Sequence, residues 1–551
     1  MATSPAFESA ASEQASVRLP VFERKSTGLV RELGVRDQIV FNISGTGTLG
    51  IALVFVLTAL AAFPKANLYL AIPIALIACT FIWTTYAVLS ATMPRIGGDY
   101  TFTTRVVNPQ IGFAFNLCLF LSTALSAGIW AYWTAAQGLS PVFTVIGSVT
   151  HSSTLLNWGA DFTHHWVEFI VGFIALAITT ALSIRGTRYT MRVLSILFGI
   201  AAVAWLIDIL ILAFSSHGSF VSDINTLGGP GAFAKTAAVG ASGGYSVGQT
   251  IGALYFVMTA IMYVYWGAYI SAEFRGANRR KRQLGTMLGA GLVFGLLVYL
   301  AVIVLLHTVG RGFLTAAVAG QFNAPGGTTI GTAGYTYFAA LMARNVVIVS
   351  ILAFAFMGWF LPGLYINSAM AYRAVFTWAF DGLLPSWFIK VNDRTHTPIN
   401  AIGVAWVFGL IGLIACAFTS NFLAILGVVL LFNYLPLIFV GVSAMIMRFR
   451  RPDLYKDSPA DWKIAGITVT PIAGAGTTII GLGLIFMGFY YRSHLGITSA
   501  TAFFGLSYET LEWLLPIVVI ALAFIWYYTA QALHRRQGVE LGMAYSTIPP
   551  E

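Results

Sequence analysis

The segment Asn42-Ile43-Ser44-Gly45-Thr46-Gly47-Thr48-Leu49-Gly50 interrupts an apolar run over residues 38–62 with three glycines and three hydroxyl side chains. A run of that length can cross a bilayer as a helix, because about 20 mostly apolar residues suffice. Glycine and small hydroxyl residues at the middle of such a run have two readings. They let a second helix cross closely, or they unwind the helix and leave backbone amides and carbonyls free for a solute. This run alone leaves both open.

The sixth apolar run, residues 249–273, contains Met262-Tyr263-Val264-Tyr265-Trp266-Gly267-Ala268-Tyr269, one glycine among four aromatics. Alone, it reads as packed core or as an interfacial aromatic belt. The pairing carries more weight than either segment. Interruptions in the first and sixth spans are what a five-plus-five inverted repeat produces, with solute and ions held at half-helix ends near the bilayer midplane.

The remaining runs support this arrangement. They fall near 70–92, 111–146, 165–184, 189–214, 284–309, 345–378, 399–418, 421–447, 465–490 and 510–531. The third and eighth are longer than a span requires, which predicts strong tilt or an extra-membrane turn. The chain is 58% hydrophobic and 9% charged, against roughly 25% charged for a soluble protein. Such a chain cannot surround itself with water. With both termini on one side, 25 of the 30 Lys and Arg residues fall on that side and Lys65, Lys235, Arg311, Arg344 and Arg492 on the other. This bias predicts twelve spans with cytoplasmic termini in a cell membrane. The net charge of +10 is thereby an orientation signal and no nucleic-acid surface.

The predicted fold is an all-α membrane protein of about twelve transmembrane helices, with helices 1 and 6 broken and helices 11 and 12 following the two repeats. Residues 1–36 form an N-terminal tail without the apolar core of a signal peptide. Residues 37–214 carry the first repeat, 215–248 an outer loop and 249–447 the second repeat; 448–531 hold the last two helices and 532–551 a C-terminal tail. The connections 215–248 and 310–344 are rich in Gly, Ser and Thr and read as irregular loops with room for short helices. They either cover an outer vestibule or serve as plain connectors. Cys79, Cys118 and Cys416 each lie inside an apolar run, with neither disulfide nor metal spacing. No P-loop, His-Glu-x-x-His pair or Gly-x-Ser-x-Gly elbow is present, which argues against an enzyme.

Several further motifs resemble those of the amino acid–polyamine–organocation transporter superfamily. Gly45-Thr46-Gly47 is similar to its Gly-Ser-Gly break in helix 1. Met93-Pro94-Arg95-Ile96-Gly97-Gly98-Asp99-Tyr100 resembles its Pro-x-x-Gly-Gly-x-Tyr signature, and Ser183-Ile184-Arg185-Gly186-Thr187 its turn after helix 4. After helix 8, Arg373, then Ala379-Phe380-Asp381-Gly382-Leu383-Leu384-Pro385, then Thr397-Pro398-Ile399-Asn400-Ala401 resemble its Arg…Ala-Arg-Asp-Gly-x-x-Pro…Thr-Pro-x-x-Ala landmarks. Two departures stand out. Phe380 replaces the Arg before the Asp-Gly pair, and Glu273-Phe274-Arg275-Gly276-Ala277-Asn278-Arg279 replaces Glu-x-x-Asn-Pro.

The resemblance implies a secondary transporter for amino acids or related small amines, working by ion symport or exchange as a monomer or homodimer. The alternative is a transporter-like sensor that moves no solute. The implied solute-binding residues are Ser44, Gly45, Thr46 and Gly47 on helix 1 and Tyr263, Tyr265, Trp266 and Gly267 on helix 6. Helix 5 has no Lys over Ser195–Ala202, so the resemblance does not point to a Lys-coupled proton. Asp208, the one carboxylate well inside a run, is a coupling candidate for a proton; its other reading is a hydrated outer-vestibule residue. The coupling ion is H+ or Na+, with no organic cofactor and no bound metal. Glu273, Arg373 and Asp381 lie at helix ends as gate or structural residues.

Overall fold

The computed structural model describes residues 31–45, 48–240, 243–322, 334–419, 422–494 and 507–546. Most of the N-terminal tail, and the positions Thr46 and Gly47, lie outside them. Among the described residues twelve helices are long and apolar enough to cross a membrane: α1 (Val35–Ala62), α2 (Leu68–Thr92), α3 (Pro109–Thr150), α4 (His165–Ile184), α5 (Thr187–Phe214) and α6 (Val247–Tyr269), then α7 (Arg280–Thr308), α8 (Val346–Phe380), α9 (Ile399–Phe418), α10 (Ile425–Arg450), α11 (Val469–Tyr490) and α12 (Tyr508–Arg536). An even number of spans returns both chain ends to one face, the terminal face. Side chains such as Ile77, Ile200, Ile351, Ile479 and Ile525 are more than half exposed around the bundle. An apolar girdle of this kind is what lipid contact permits and water does not.

Both spans carry an irregularity near the expected place. The described parts of α1 are Val35–Gly45 and Thr48–Ala62, on either side of positions 46 and 47, and Thr48 has φ +67°, a left-handed conformation rare for a β-branched residue. Helix α6 is α-helical over Val247–Ile261 and then winds into a tighter 3₁₀ turn over Met262–Tyr269. The two long spans contain their own irregularities, a π-helical turn at Thr134–Leu139 in α3 and a 3₁₀ turn at Met357–Trp359 in α8. Each shifts which face of the helix looks inward, so one long helix presents two different inner faces.

Small residues set the closest helix crossings. In α3, a Cβ on Gly128 would collide with the Gly409 carbonyl oxygen of α9, so the two backbones touch directly there. The only strand pairing among the described residues is a hairpin on the terminal face, Lys463–Ile464 with Ile467–Thr468, turned by Ala465 and Gly466 at φ +49° and +82°.

The segments 215–248 and 310–344 contain the short helices for which the expected loops had room, and more helix than loop among their described residues. Their described parts are largely helical: His217–Gly228, Ala232–Gly240, Arg311–Val318 and Gly334–Ala343. Phenylalanines hold them together, with Phe233 stacked on Phe313 at 5.1 Å and Phe220 edge-on to Phe338 at 5.4 Å. The glycines that suggested loops instead allow close packing; a Cβ on Gly240 would strike the Gly312 carbonyl. These helices form a cap on the face opposite the termini.

Candidate functional site

The two interruptions meet. Asn42, one turn before positions 46 and 47 of α1, is fully buried and engages both the oxygen and the nitrogen of its amide. Its Oδ1 accepts from the Gly267 N–H at 2.7 Å, and its Nδ2 donates to the Thr286 carbonyl at 2.7 Å. Gly267 must be glycine because a Cβ would lie on Asn42 Oδ1. Three positions further along α1, a Cβ on Gly45 would come within 3.1–3.3 Å of the Trp266 side chain. Lower on the same seam, the Leu33 N–H donates to the Glu273 carbonyl and the Arg275 N–H to the Leu33 carbonyl, at 3.1 and 3.0 Å. The first half of α1 and the end of α6 are thus stitched into one unit.

A cavity of about 50 Å³ opens at this seam, lined by Gly45 and Phe55 of α1, Trp130 and Trp133 of α3, Thr259, Tyr263 and Trp266 of α6, Asn367 of α8, and Leu430 and Asn433 of α10. Aromatic contacts hold its shape: Tyr263 to Trp266 at 4.8 Å, Phe55 to Trp133 at 5.5 Å and Trp130 to Trp133 at 5.4 Å between ring centres. Asn433 donates to Ser122, which donates to the Val429 carbonyl at 2.7 Å. Thr259 shares a 2.5 Å hydrogen bond with Tyr434. Among the described residues, Asn433 Oδ1 and the Tyr263 hydroxyl are buried without a hydrogen-bond partner. Buried polar atoms left single in this way are ready to bind a polar ligand. Among the described residues no charged side chain lines the cavity. The α-helical turns of Val247–Ile261 end beside the cavity with their negative C-terminus, and the described parts of α1, Val35–Gly45 and Thr48–Ala62, flank it.

The cavity is closed on both sides. Toward the terminal face, Glu273 and Arg373 form a buried ion pair, with Glu273 Oε1 accepting from Nε at 2.8 Å and contacting Nη2 at 2.7 Å. Arg373 also donates to the Tyr372 hydroxyl at 2.7 Å and to Thr187 Oγ1 at 3.1 Å. Asp381 belongs to a second, separate pair: it meets Arg105 at 2.7 Å with both side chains fully buried. The Tyr545 ring of the C-terminal segment lies 5.1 Å from that guanidinium. Toward the opposite face, Trp359 and the Tyr335 hydroxyl crowd the Cα of Gly50 so closely that no Cβ would fit. Asp208 lies beside Thr336 and Tyr335 of the cap, 2% exposed, with Oδ1 unbonded.

The structure sorts the residues singled out from sequence. Gly45, Tyr263 and Trp266 line the cavity together. Ser44 is buried beside them with an unpartnered hydroxyl, and Thr46 and Gly47 lie outside the described residues. Tyr265 turns away, stacking on Tyr86 at 3.9 Å, and Gly267 serves the Asn42 staple. Sequence reasoning did not single out Asn42, Thr259, Asn367 or Asn433. An amide inside an apolar span was the available signal, because such groups are costly there unless they are used. It also passed over Asp99, which opens the short helix Asp99–Val106 and is 3% exposed. Burial pushes its carboxyl up to about 7, and the nearby Tyr269 and Tyr86 hydroxyls offset only part of that rise. Among the described residues, no cluster of His, Cys, Asp or Glu is placed to hold a metal ion.

Comparison with known proteins identifies the family. The sequence pattern of the amino acid permease family matches residues 38–506. The chain is also similar to the branched-chain amino acid permease BcaP of Bacillus subtilis (strain 168), 24% identical over 462 residues that cover 80% of this chain and 85% of the relative. The family match runs over most of the chain, from the first span to beyond the eleventh, and this chain belongs to the amino acid permease family of the amino acid–polyamine–organocation superfamily.

Proposed function

We propose that the protein carries a neutral, apolar amino acid across a cell membrane by alternating access, with the terminal face in the cytoplasm. The observation that carries this reading is the cavity at the α1–α6 seam: aromatic and aliphatic walls, five amide or hydroxyl side chains (Ser126, Thr259, Tyr263, Asn367 and Asn433), and no charged side chain among the described lining residues. A solute with a charged side chain would be stranded there without a partner. The zwitterionic end of an amino acid suits the helix ends, its carboxylate at the N-terminus of Thr48–Ala62 and its ammonium at the C-terminal carbonyls. The side chain then rests on Trp130, Trp133 and Leu430. The name of the Bacillus relative supports the same solute class. At about 50 Å³ the cavity is well below the roughly 300 Å³ at which small-molecule sites begin, so the solute enters by parting α1 and α6 from the opposing α3, α8 and α10.

Purified protein in liposomes should accumulate labelled leucine, isoleucine or valine in preference to lysine and glutamate. Uptake of lysine alone, or binding without uptake, would sink the reading; the second outcome would favour a sensor. The orientation is checked with Asn225→Cys and Asn278→Cys, since the three native cysteines are buried. An impermeant thiol reagent applied outside cells should label the first and spare the second.

For coupling, the favoured ion is a proton carried at Asp208. That carboxyl has no cation beside it among the described residues, and it abuts the Tyr335 that presses on Gly50. A change in its charge would therefore be felt at the lid over the cavity. Asp208→Asn should abolish uptake driven by a proton gradient and leave solute exchange within about twofold of the parent. Concentrative uptake at the parent rate would return Asp208 to a structural role.

A further inference from the structure

On the terminal face, a cavity of about 290 Å³ lies between the start of α1, the start of α5 and the loop before α9. Four arginines line it: Arg185, Arg188 and Arg192 around the first turns of α5, and Arg394 from the loop. None of the four forms an ion pair among the described residues, and the one contact made by any of their guanidinium groups is Arg185 over the Tyr189 ring at 5.7 Å. Two acids share the wall, Glu32 and Glu273, and Glu273 is already neutralised by Arg373. His396 completes the basic side. Among the described residues the excess of positive charge is therefore local and without ion-pair partners.

The fold converges on this point in a way that a general excess of inner-loop arginines does not require. Gly186 turns the chain at φ +103° and caps α5, whose first-turn N–H groups and positive end face the same space. A Cβ on Gly186 would press on the Thr395 carbonyl at 3.0 Å, so the loop is seated directly against the helix start. Guanidinium groups, hydroxyls and helix N–H groups together form the donor set that oxygen-rich, doubly charged anions prefer.

We propose that this cavity binds a phosphate-bearing anion, and that the bound anion clamps the start of α1 to the start of α5. The clamp acts on the closure beneath the solute cavity. Thr187 lines the anion site and accepts from Arg373, and Leu33 lines it while holding the Glu273 carbonyl. An anion that ties these segments together favours the state in which the Glu273–Arg373 pair is shut. The same chemistry is offered by the headgroup of an anionic phospholipid in the adjoining leaflet and by inorganic phosphate from solution. The inference does not depend on which amino acid is carried.

The test uses the full-length protein and its Arg188→Gln/Arg192→Gln variant, both exposed positions, with Arg450→Gln as an exposed control outside the site. Binding of labelled inorganic phosphate is measured in detergent at constant ionic strength, and retention of phosphatidylglycerol over phosphatidylcholine is measured by mass spectrometry of protein in mixed nanodiscs. Phosphate binding that weakens at least about tenfold in the double variant and not in the control supports the site. Added retention of phosphatidylglycerol, lost in the same variant, identifies the lipid as the source; phosphate binding without it identifies the soluble ion. If the double variant does not fold, Arg394→Gln on the loop is read in its place. Binding of neither anion by the parent, or binding undiminished in the variants, overturns the proposal.

Discussion

Gly45→Leu abolishes solute binding while Trp266→Ala weakens it, and both proteins still leave the membrane as a single folded species. The expectation rests on one contact. A bare Cβ at position 45 already lies 3.1–3.3 Å from Trp266 atoms, tighter than ordinary packing, so even alanine forces that indole to move. Leucine adds three more carbons to a cavity of about 50 Å³, which leaves no room for a second occupant. The glycine is needed for close approach and not for unusual backbone, since positive φ falls at Thr48 and not at Gly45.

The loss should exceed about a hundredfold in affinity, or roughly 3 kcal/mol. Trp266→Ala removes a large apolar wall, and truncation of an anchoring tryptophan costs about 2 kcal/mol or more. Measuring thermal stability and affinity on the same preparations separates binding from packing. If position 45 serves only the helix crossing, Gly45→Leu lowers stability by about 1–3 kcal/mol of overpacking and leaves affinity unchanged in whatever folds. Unchanged affinity in both variants would place the solute away from the α1–α6 seam.

The geometry explains why part of this site was legible in the sequence. Span count and the two broken helices are properties of single segments: an apolar run of the right length, and small residues in the middle of it. Gly45, Tyr263 and Trp266 could therefore be singled out. Their neighbour Tyr265 could not be separated from them, because a 3₁₀ turn advances about 120° per residue where an α-helix advances about 100°, and the change of pitch after Ile261 decides which aromatic faces the cavity. Asn367 and Asn433 sit on helices apolar all round, and such helices carry no periodic mark of the inner face. Partners distant in sequence were beyond reach for a different reason. Asp381 read as a helix-end residue, yet its charge is met by Arg105, 276 positions earlier. Both α8 and the helix Asp99–Val106 pack against α3, and that shared neighbour brings the two side chains together.

Asp99→Asn should stabilise the protein at neutral and alkaline pH and have little effect near pH 4. Asp99 is 3% exposed, and among the described residues its Oδ1 has no hydrogen-bond partner and no cation acts on it; Tyr86 and Tyr269 face it from α2 and the end of α6. Burial raises its carboxyl from about 3.8 to about 7. The sign follows from proton counting. Between those values the folded protein holds a proton that the unfolded chain has released, so stability falls as pH rises across that window. Below about 4 both states are protonated and the full contribution is present; above about 7 both are ionised and the loss is complete. A rise of that size corresponds to about 4 kcal/mol. The amide keeps the shape of the neutral acid and cannot ionise. The melting temperature of Asp99→Asn relative to the parent should therefore climb between pH 4 and pH 7 and level off above it. A constant difference across that range would mean that Asp99 stays charged in the folded protein, with a cation or water reaching Oδ1. A difference of the opposite slope would mean that the anion is what this elbow, Gly97-Gly98-Asp99, is built to hold at the positive end of its short helix.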